Sequence, residues 1–203
     1  ESGVARFVHG STIGVYGVEL QGEIDESSPM APDNIYGVTK KAGEELVLSY
    51  REKLPISVVR ISETYGPGDR RLLKLFKGIK KRTFFVIGDG ENRHQLVYVD
   101  DLIDGLFAAS EREQALGEVF VVAGSEILTT NSMVDTIASV LQVKKLAINA
   151  PMWPFYLLAV LMEKTLRPLG IQPPLHRRRL DFFKKTHYYS PHKSSGLLGF
   201  QAK

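Results

Sequence analysis

Cysteine is absent from these 203 residues, and tryptophan occurs once. The first absence excludes disulfides, thiolate nucleophiles and cysteine-ligated zinc. It suits a reducing cytoplasm, where the protein is expected. A long apolar run is missing too. The most apolar stretch, MWPFYLLAVLM at 152–162, has 11 residues, against the roughly 20 that a spanning helix needs. It reads as a core or interfacial helix, so no transmembrane span is expected. The net charge of +3 is too small to argue for nucleic acid. Basic residues nevertheless gather at Lys80-Lys81-Arg82 and Arg177-Arg178-Arg179. No secretory signal opens the chain: ESGVARFVHGST has neither a start methionine nor a targeting pattern, and reads as cut from something longer. Five histidines are scattered without zinc spacing, and no metal site is expected.

What is present alternates between strand-like and helix-like stretches. ARFVHGS (5–11) is a short apolar run ending in small residues, a buried strand by its pattern. A Gly-, Pro-, Ser- and Asp-rich loop follows, to about residue 34. Val38, Ala42, Leu46, Tyr50 and Leu54 then recur every four residues, so a helix follows, and Pro55 stops it. ISVVRIS (56–62) is β-branched and bounded by turns, a second buried strand. Strand, loop, helix, strand is a βαβ unit, which implies parallel strands. Further on, RLLKLFKGIKKR is an amphipathic helix, and TFFVIGDGENRHQLVYV reads as two strands around a Gly-Asp-Gly turn. DDLIDGLFAASER is a helix whose first-turn Asp100 and Asp101 suit the helix dipole, GEVFVVAG a strand, and TTNSMVDTIASVL a capped helix. Beyond Pro151 the chain reads as helical and basic, with Trp153 expected in a core.

One pair carries chemistry. Tyr36 and Lys40 lie four residues apart where the loop becomes a helix, and so share one helix face. An ammonium beside a phenol favours the phenolate form, which suits the tyrosine to exchange a proton with an alcohol or a carbonyl oxygen. Ser11 and Thr12 end the first strand, the edge where open α/β sheets bind ligands. Their hydroxyls could hold a substrate oxygen.

The ordered set HGSTIGVYG, IYGVTKKAGE, VVRISETYGPGD, VIGDGENRHQLVYVDDL and YYSPHKSSGLLGF resembles the extended short-chain dehydrogenase/reductases, in particular their NAD-dependent epimerase/dehydratase group. The resemblance implies Thr12 and Tyr36 as catalytic hydroxyls, and Lys40 as the group that activates Tyr36 and binds the nicotinamide ribose. It implies a cofactor, NAD or NADP, contacted by Ser11, Tyr36, Lys40 and Ser62, and a small-molecule substrate oxidised or reduced at a secondary alcohol or ketone. A homodimer and a peripheral membrane contact are both compatible with it; nucleic acid is not expected.

The resemblance also has gaps. The family's opening Gly-x-x-Gly-x-x-Gly turn, which cradles a pyrophosphate, has no match here. The expected fold is therefore a partial Rossmann sheet lacking its amino-terminal half, joined to a smaller, mainly helical substrate lobe. The expected boundaries are 1–66 for the Rossmann part, 67–116 for a lobe segment and connecting helix, 117–142 for a return to the sheet, and 143–203 for the carboxyl-terminal lobe. On the substrate side, Glu63 stands where nucleotide-sugar enzymes usually carry Asn. His94-Gln95 stands where they usually carry Arg-Asp, and Arg93 on a strand points to the opposite face. Glu63, Arg93 and His94 are the expected substrate-side residues. The favoured substrate is a nucleotide sugar, with Arg177 to Arg179 supplying charge for its diphosphate. The alternatives are a 3β-hydroxysteroid dehydrogenase-like or dihydroflavonol reductase-like enzyme, with Trp153, Phe155 and Leu157 lining an apolar pocket, and a non-catalytic dinucleotide-binding module or inactive fragment.

Overall fold

The computed structural model describes residues 3–146 and 148–203, with the side chain of Arg178 left aside. Its elements in chain order are β1 (Phe7–Thr12), β2 (Gln21–Ile24), α1 (Ile35–Leu48), β3 (Ile56–Ile61), β4 (Glu63–Tyr65), α2 (Arg70–Lys80), β5 (Val86–Ile87), β6 (Arg93–His94), β7 (Leu96–Tyr98) and α3 (Val99–Glu111). They continue with β8 (Val119–Val122), β9 (Leu128–Thr129), α4 (Thr130–Val140), β10 (Asn149–Ala150), α5 (Met152–Leu166), α6 (Arg177–Leu180) and β11 (Thr186–Tyr189).

The chain forms two compact units. Unit 1 holds residues 1–68, 95–127 and 187–203; unit 2 holds 69–94 and 128–186. This division cuts across the boundaries drawn from sequence. Helix α3 belongs with the sheet in unit 1, α4 belongs to unit 2, and the last 17 residues return to unit 1.

Unit 1 is built on a parallel sheet in the order β1-β3-β8. Phe7 pairs with Ile56 and Thr12 with Ile61, and Val58 to Ile61 pair with Val119 to Val122. Strand β3 is buried over Ile56 to Arg60, as a central strand covered on both faces should be. Leu102 and Ala109 of α3 pack on Val59, Phe120 and Val122 together with Leu198 and Phe200 from the end of the chain. A second cluster joins Ile13, Val15, Tyr16, Ile24, Val121 and Tyr189. The loop expected between β1 and α1 carries a 3-10 turn, Ile13–Tyr16, and strand β2, which pairs with β11.

Helix α1 does not bury its apolar stripe. Its four-residue apolar repeat marks a helix correctly, yet Val38, Leu46, Tyr50 and Leu54 are all exposed. The buried positions of α1 are Gly37 and Glu44. Asn34 caps the helix by accepting the Gly37 N–H at 3.1 Å.

In unit 2, Ile87, Ala159 and Leu180 form a core with Phe85, Phe155 and Phe183 around it. Thr129 and Ser132 close the start of α4 with a reciprocal capping box. Trp153, expected in a core, is 67% exposed.

Candidate active site

The carboxyl end of β1 and the amino end of α1 converge in unit 1. Thr12 ends β1 in extended conformation, and its hydroxyl oxygen accepts the Gly14 N–H at 3.2 Å. The hydroxyl proton is thereby left to donate elsewhere. A Cβ built on Gly14 would lie 3.5 Å from Thr12 Oγ1 and 3.7 Å from Tyr36 Cε1, so threonine and tyrosine flank one glycine. At Gly37 a Cβ would come within 2.5 Å of the Gly14 carbonyl oxygen. Only glycine lets the first turn of α1 approach this closely, and that approach sets Tyr36 beside the strand end. The Tyr36 side chain remains 44% exposed, within reach of a ligand. One turn on, the Lys40 ammonium donates to the Gly10 carbonyl at 2.8 Å, tying α1 to β1.

A third residue completes this helix face, and the sequence reading missed it. Glu44 lies eight residues after Tyr36, with none of its surface exposed. Its carboxylate accepts the Ser11 hydroxyl at 2.6 Å and the Arg60 guanidinium at 2.6 and 3.1 Å. Arg60 also donates to the Tyr16 hydroxyl at 2.6 Å and to the Glu26 carbonyl at 3.0 Å. The Tyr16 hydroxyl in turn donates to the Asp25 carbonyl at 2.8 Å. Burial holds the Tyr16 phenol well above the usual tyrosine range, against the pull of Arg60. The buried charge is thus paired and its hydrogen bonds are filled, the condition under which burial is tolerated. A signal was available: Arg60 sits inside the apolar run ISVVRIS, and a buried guanidinium requires an acid.

The other expected site residues fall in different surroundings. Ser11 is only 3% exposed, and its hydroxyl is engaged by Glu44. Donation to a buried carboxylate fixes the side chain inward. Ser62 uses its N–H on Val122 at 3.0 Å, its hydroxyl on the Gln95 carbonyl at 2.6 Å, and its carbonyl on the Thr64 hydroxyl at 3.2 Å. Glu63 is half-buried and pairs in register with Leu96. Burial, and after it the Glu63 charge, raises the Tyr189 phenol well above its ordinary value.

Arg93 and His94 belong to unit 2. Arg93 is exposed. His94 is 1% exposed, with Nε2 2.9 Å from the Asn92 amide nitrogen and 3.0 Å from the Thr130 hydroxyl. Its ring packs 4.4 Å from that of Phe182. The imidazole, expected on the substrate side, is an interior packing and hydrogen-bonding group of unit 2. Gln95, in unit 1, donates to the Gly124 carbonyl at 2.8 Å and accepts the Tyr189 N–H at 2.7 Å. A neutral amide serves there because one donor and one acceptor are needed. The three residues expected to line an apolar pocket fall in different surroundings. Phe155 packs inward on Phe85, at 5.7 Å between ring centres, whereas Trp153 and Leu157 are exposed. Of the expected basic trio, Arg177 pairs with Glu163 at 3.0 Å, Arg179 donates to the Pro174 carbonyl, and the Arg178 side chain lies outside the described residues.

The NAD-dependent epimerase/dehydratase family matches residues 1–123. The chain belongs to this family. An uncharacterized UDP-glucose epimerase of Bacillus subtilis, YtcB, is 31% identical over 149 residues, 68% of this chain and 46% of the relative. Short-chain dehydrogenase/reductase family 42E member 1 of Bos taurus is 29% identical over 226 residues, 99% of this chain and 58% of the relative. Among solved structures, UDP-glucuronic acid 4-epimerase from Bacillus cereus in complex with NAD superposes with a TM-score of 0.73 at 25% identity, over 98% of this chain and 55% of that one. The chain therefore spans about half the length of these relatives.

Proposed function

We propose that this epimerase/dehydratase family chain contributes the acid/base half of an NAD-dependent active site acting on a nucleotide sugar. The observation that carries the reading is the convergence of Thr12 and Tyr36 about Gly14, with Lys40 one helical turn behind and held by the Gly10 carbonyl. Tyr36 is the general acid/base: its hydroxyl takes a proton from a substrate alcohol or returns one to a carbonyl oxygen. Thr12 holds that oxygen through its hydroxyl proton. Lys40 sets a cation on the same helix face one turn from Tyr36. NAD, when bound, supplies the hydride acceptor and donor. The residues present fit its nicotinamide end: an exposed tyrosine, an ammonium and a close-packed glycine stand at the carboxyl edge of a parallel sheet. The nucleotide-sugar substrate rests on the UDP- and dTDP-sugar enzymes among the relatives. The outward exposure of Trp153 and Leu157, with Phe155 turned in on Phe85, gives the steroid-like alternative less support.

The test uses the polypeptide carrying these 203 residues at its natural length. UDP-glucose, UDP-glucuronic acid, dTDP-glucose and a hydroxysteroid are each assayed with NAD for turnover and for protection from thermal unfolding. Tyr36→Phe is expected to lower kcat by about 100-fold or more while leaving NAD affinity nearly unchanged. Near-normal turnover in that variant rules out the acid/base role. Protection by the hydroxysteroid alone moves the substrate class.

A further inference from the structure

Charge is divided unequally between the two units. Unit 2 holds 17 Lys and Arg against 6 Asp and Glu, a formal +11, whereas unit 1 holds 9 against 17, a formal −8. The whole-chain value of +3 conceals this division.

On unit 2 the exposed apolar surface concentrates on one helix. In α5, Ala159 and Glu163 face inward. Trp153, Leu157 and Leu161, spaced four apart, are 67%, 59% and 59% exposed and lie on one helix face. Lys164, three residues after Leu161, ends that face. Leu169 and Ile171, just past the helix, are 70% and 52% exposed. Cations surround the helix: Arg167 follows its last turn with 61% of its side chain exposed, Arg177 bonds to Glu163, and Lys184 lies 5.2 Å from the Tyr156 ring. The one acid of α5 is matched by Arg167 and Arg177. Among the described residues, no helix is long and apolar enough to cross a membrane.

We propose that α5 is a peripheral membrane-docking element that lays Trp153, Leu157 and Leu161 into the headgroup boundary of an anionic bilayer. An apolar helix face bordered by cations is what such a surface selects. The side chains gain burial in the acyl boundary, and the cations gain the field of anionic lipid. Nucleic acid would use the cations and leave the leucines in water. A neutral protein partner would use the leucines and leave the formal +11 without a counterpart.

Trp153 is the sole tryptophan, so its fluorescence reports on this face directly. The protein is titrated with phosphatidylcholine vesicles with and without phosphatidylserine. The expected result is a blue-shifted emission with the anionic vesicles, quenched by brominated acyl chains and weakened by high salt. The variants Leu157→Ser/Leu161→Ser and Lys164→Glu/Arg167→Glu alter exposed side chains, and circular dichroism checks their folding. Each is expected to weaken binding roughly tenfold or more. An unshifted emission with anionic vesicles overturns the proposal. So does a blue shift that grows with protein concentration without lipid, which would make a second copy the occupant, or one produced by an RNA oligonucleotide and not by vesicles.

Discussion

The two units use ionised side chains in opposite ways. In unit 1, Glu44 and Arg60 lie inside the fold, 0% and 4% exposed, and short bonds fix each to several partners. In unit 2, Lys164, Arg167, Arg177 and Lys184 border an exposed apolar helix, α5. A buried ion pair tolerates only an arrangement that satisfies every lone pair and proton, so it specifies geometry. Exposed charge acts through a summed field, in which no single residue is decisive. Unit 1 has the architecture of a positioned site, and unit 2 that of a surface.

Breaking the buried pair should show the difference at its largest. Glu44→Gln leaves Arg60 buried without its counter-ion, which should cost about 3–5 kcal/mol. The urea midpoint should fall, and hydrogen exchange should accelerate in α1, β1 and β3 before it does in α5. Glu44→Leu with Arg60→Met should recover much of the loss, because an apolar replacement leaves no charge unpaired. Glu163→Gln, which faces the half-exposed Arg177 of unit 2, should shift the midpoint less than Glu44→Gln does. Equal losses at the two positions would remove the distinction between the units.

A smaller effect sharpens the same contrast. Gly37→Ala places a methyl 2.5 Å from the Gly14 carbonyl oxygen and 2.8 Å from Pro32 Cβ. Overpacking of this kind costs about 1–3 kcal/mol, and the displaced turn carries Tyr36. Turnover should therefore fall more than stability does. Gly43→Ala, on the same helix with nothing within 4 Å of its Cβ, should leave both unchanged or slightly improved.

Much of this was legible in the residues. Apolar runs announced β3 and β8, which are largely buried, and also β1, which was expected to be buried but is only partly so, with Phe7 47% exposed; the parallel pairing of β1 and β3 followed from the strand-helix-strand order. Helices α1 to α5 followed from apolar periodicity and caps. Periodicity names a helix, however, and not its buried face: in α1 the apolar stripe faces outward, and a glycine, a lysine and a glutamate face the sheet. Nothing in the local sequence singles out Glu44, because a lone glutamate in a helix is usually solvated. Only its spacing from Tyr36, taken with an arginine inside a buried strand, could have exposed it. The partners of Ser11 and His94 were not legible for one reason. Sequence shows a polar group, but not which partner already satisfies it.

The pH response should separate the units further. On β1 in unit 1, His9 Nε2 is buried without a hydrogen-bond partner among the described residues. Burial, and then the Lys40 charge, lowers its pKa below the ordinary 6.5, with Glu44 opposing. The folded chain thus keeps His9 neutral where the unfolded chain takes up a proton. The stability associated with it is complete above pH 6.5 and is lost as pH falls through the folded-state value. Urea midpoints at pH 7.5 and 5 should show a fall that His9→Phe reduces. An identical fall in that variant would place the acid sensitivity elsewhere.

The smallest expected change concerns helix ends in unit 2. Among the described residues other than glycine, only Arg82 and Gln142 have positive φ, both 55°. They stand just after α2 and α4, where the Thr83 N–H reaches back to the Gly78 carbonyl at 2.9 Å and the Val143 N–H to the Ala138 carbonyl at 3.0 Å. This is the left-handed closing position that glycine fills without a Cβ penalty. Arg82→Gly and Gln142→Gly should each raise stability by about 0.5–1 kcal/mol, the relief of left-handed strain less the added freedom of the unfolded chain. The same exchange at the Thr12 position, where φ is −153°, has no such strain to relieve and should destabilise. If both glycine variants instead lower the midpoint, the strain at these helix ends is outweighed by unfolded-chain entropy. In that case the exposed cations, and not backbone geometry, are what distinguishes unit 2.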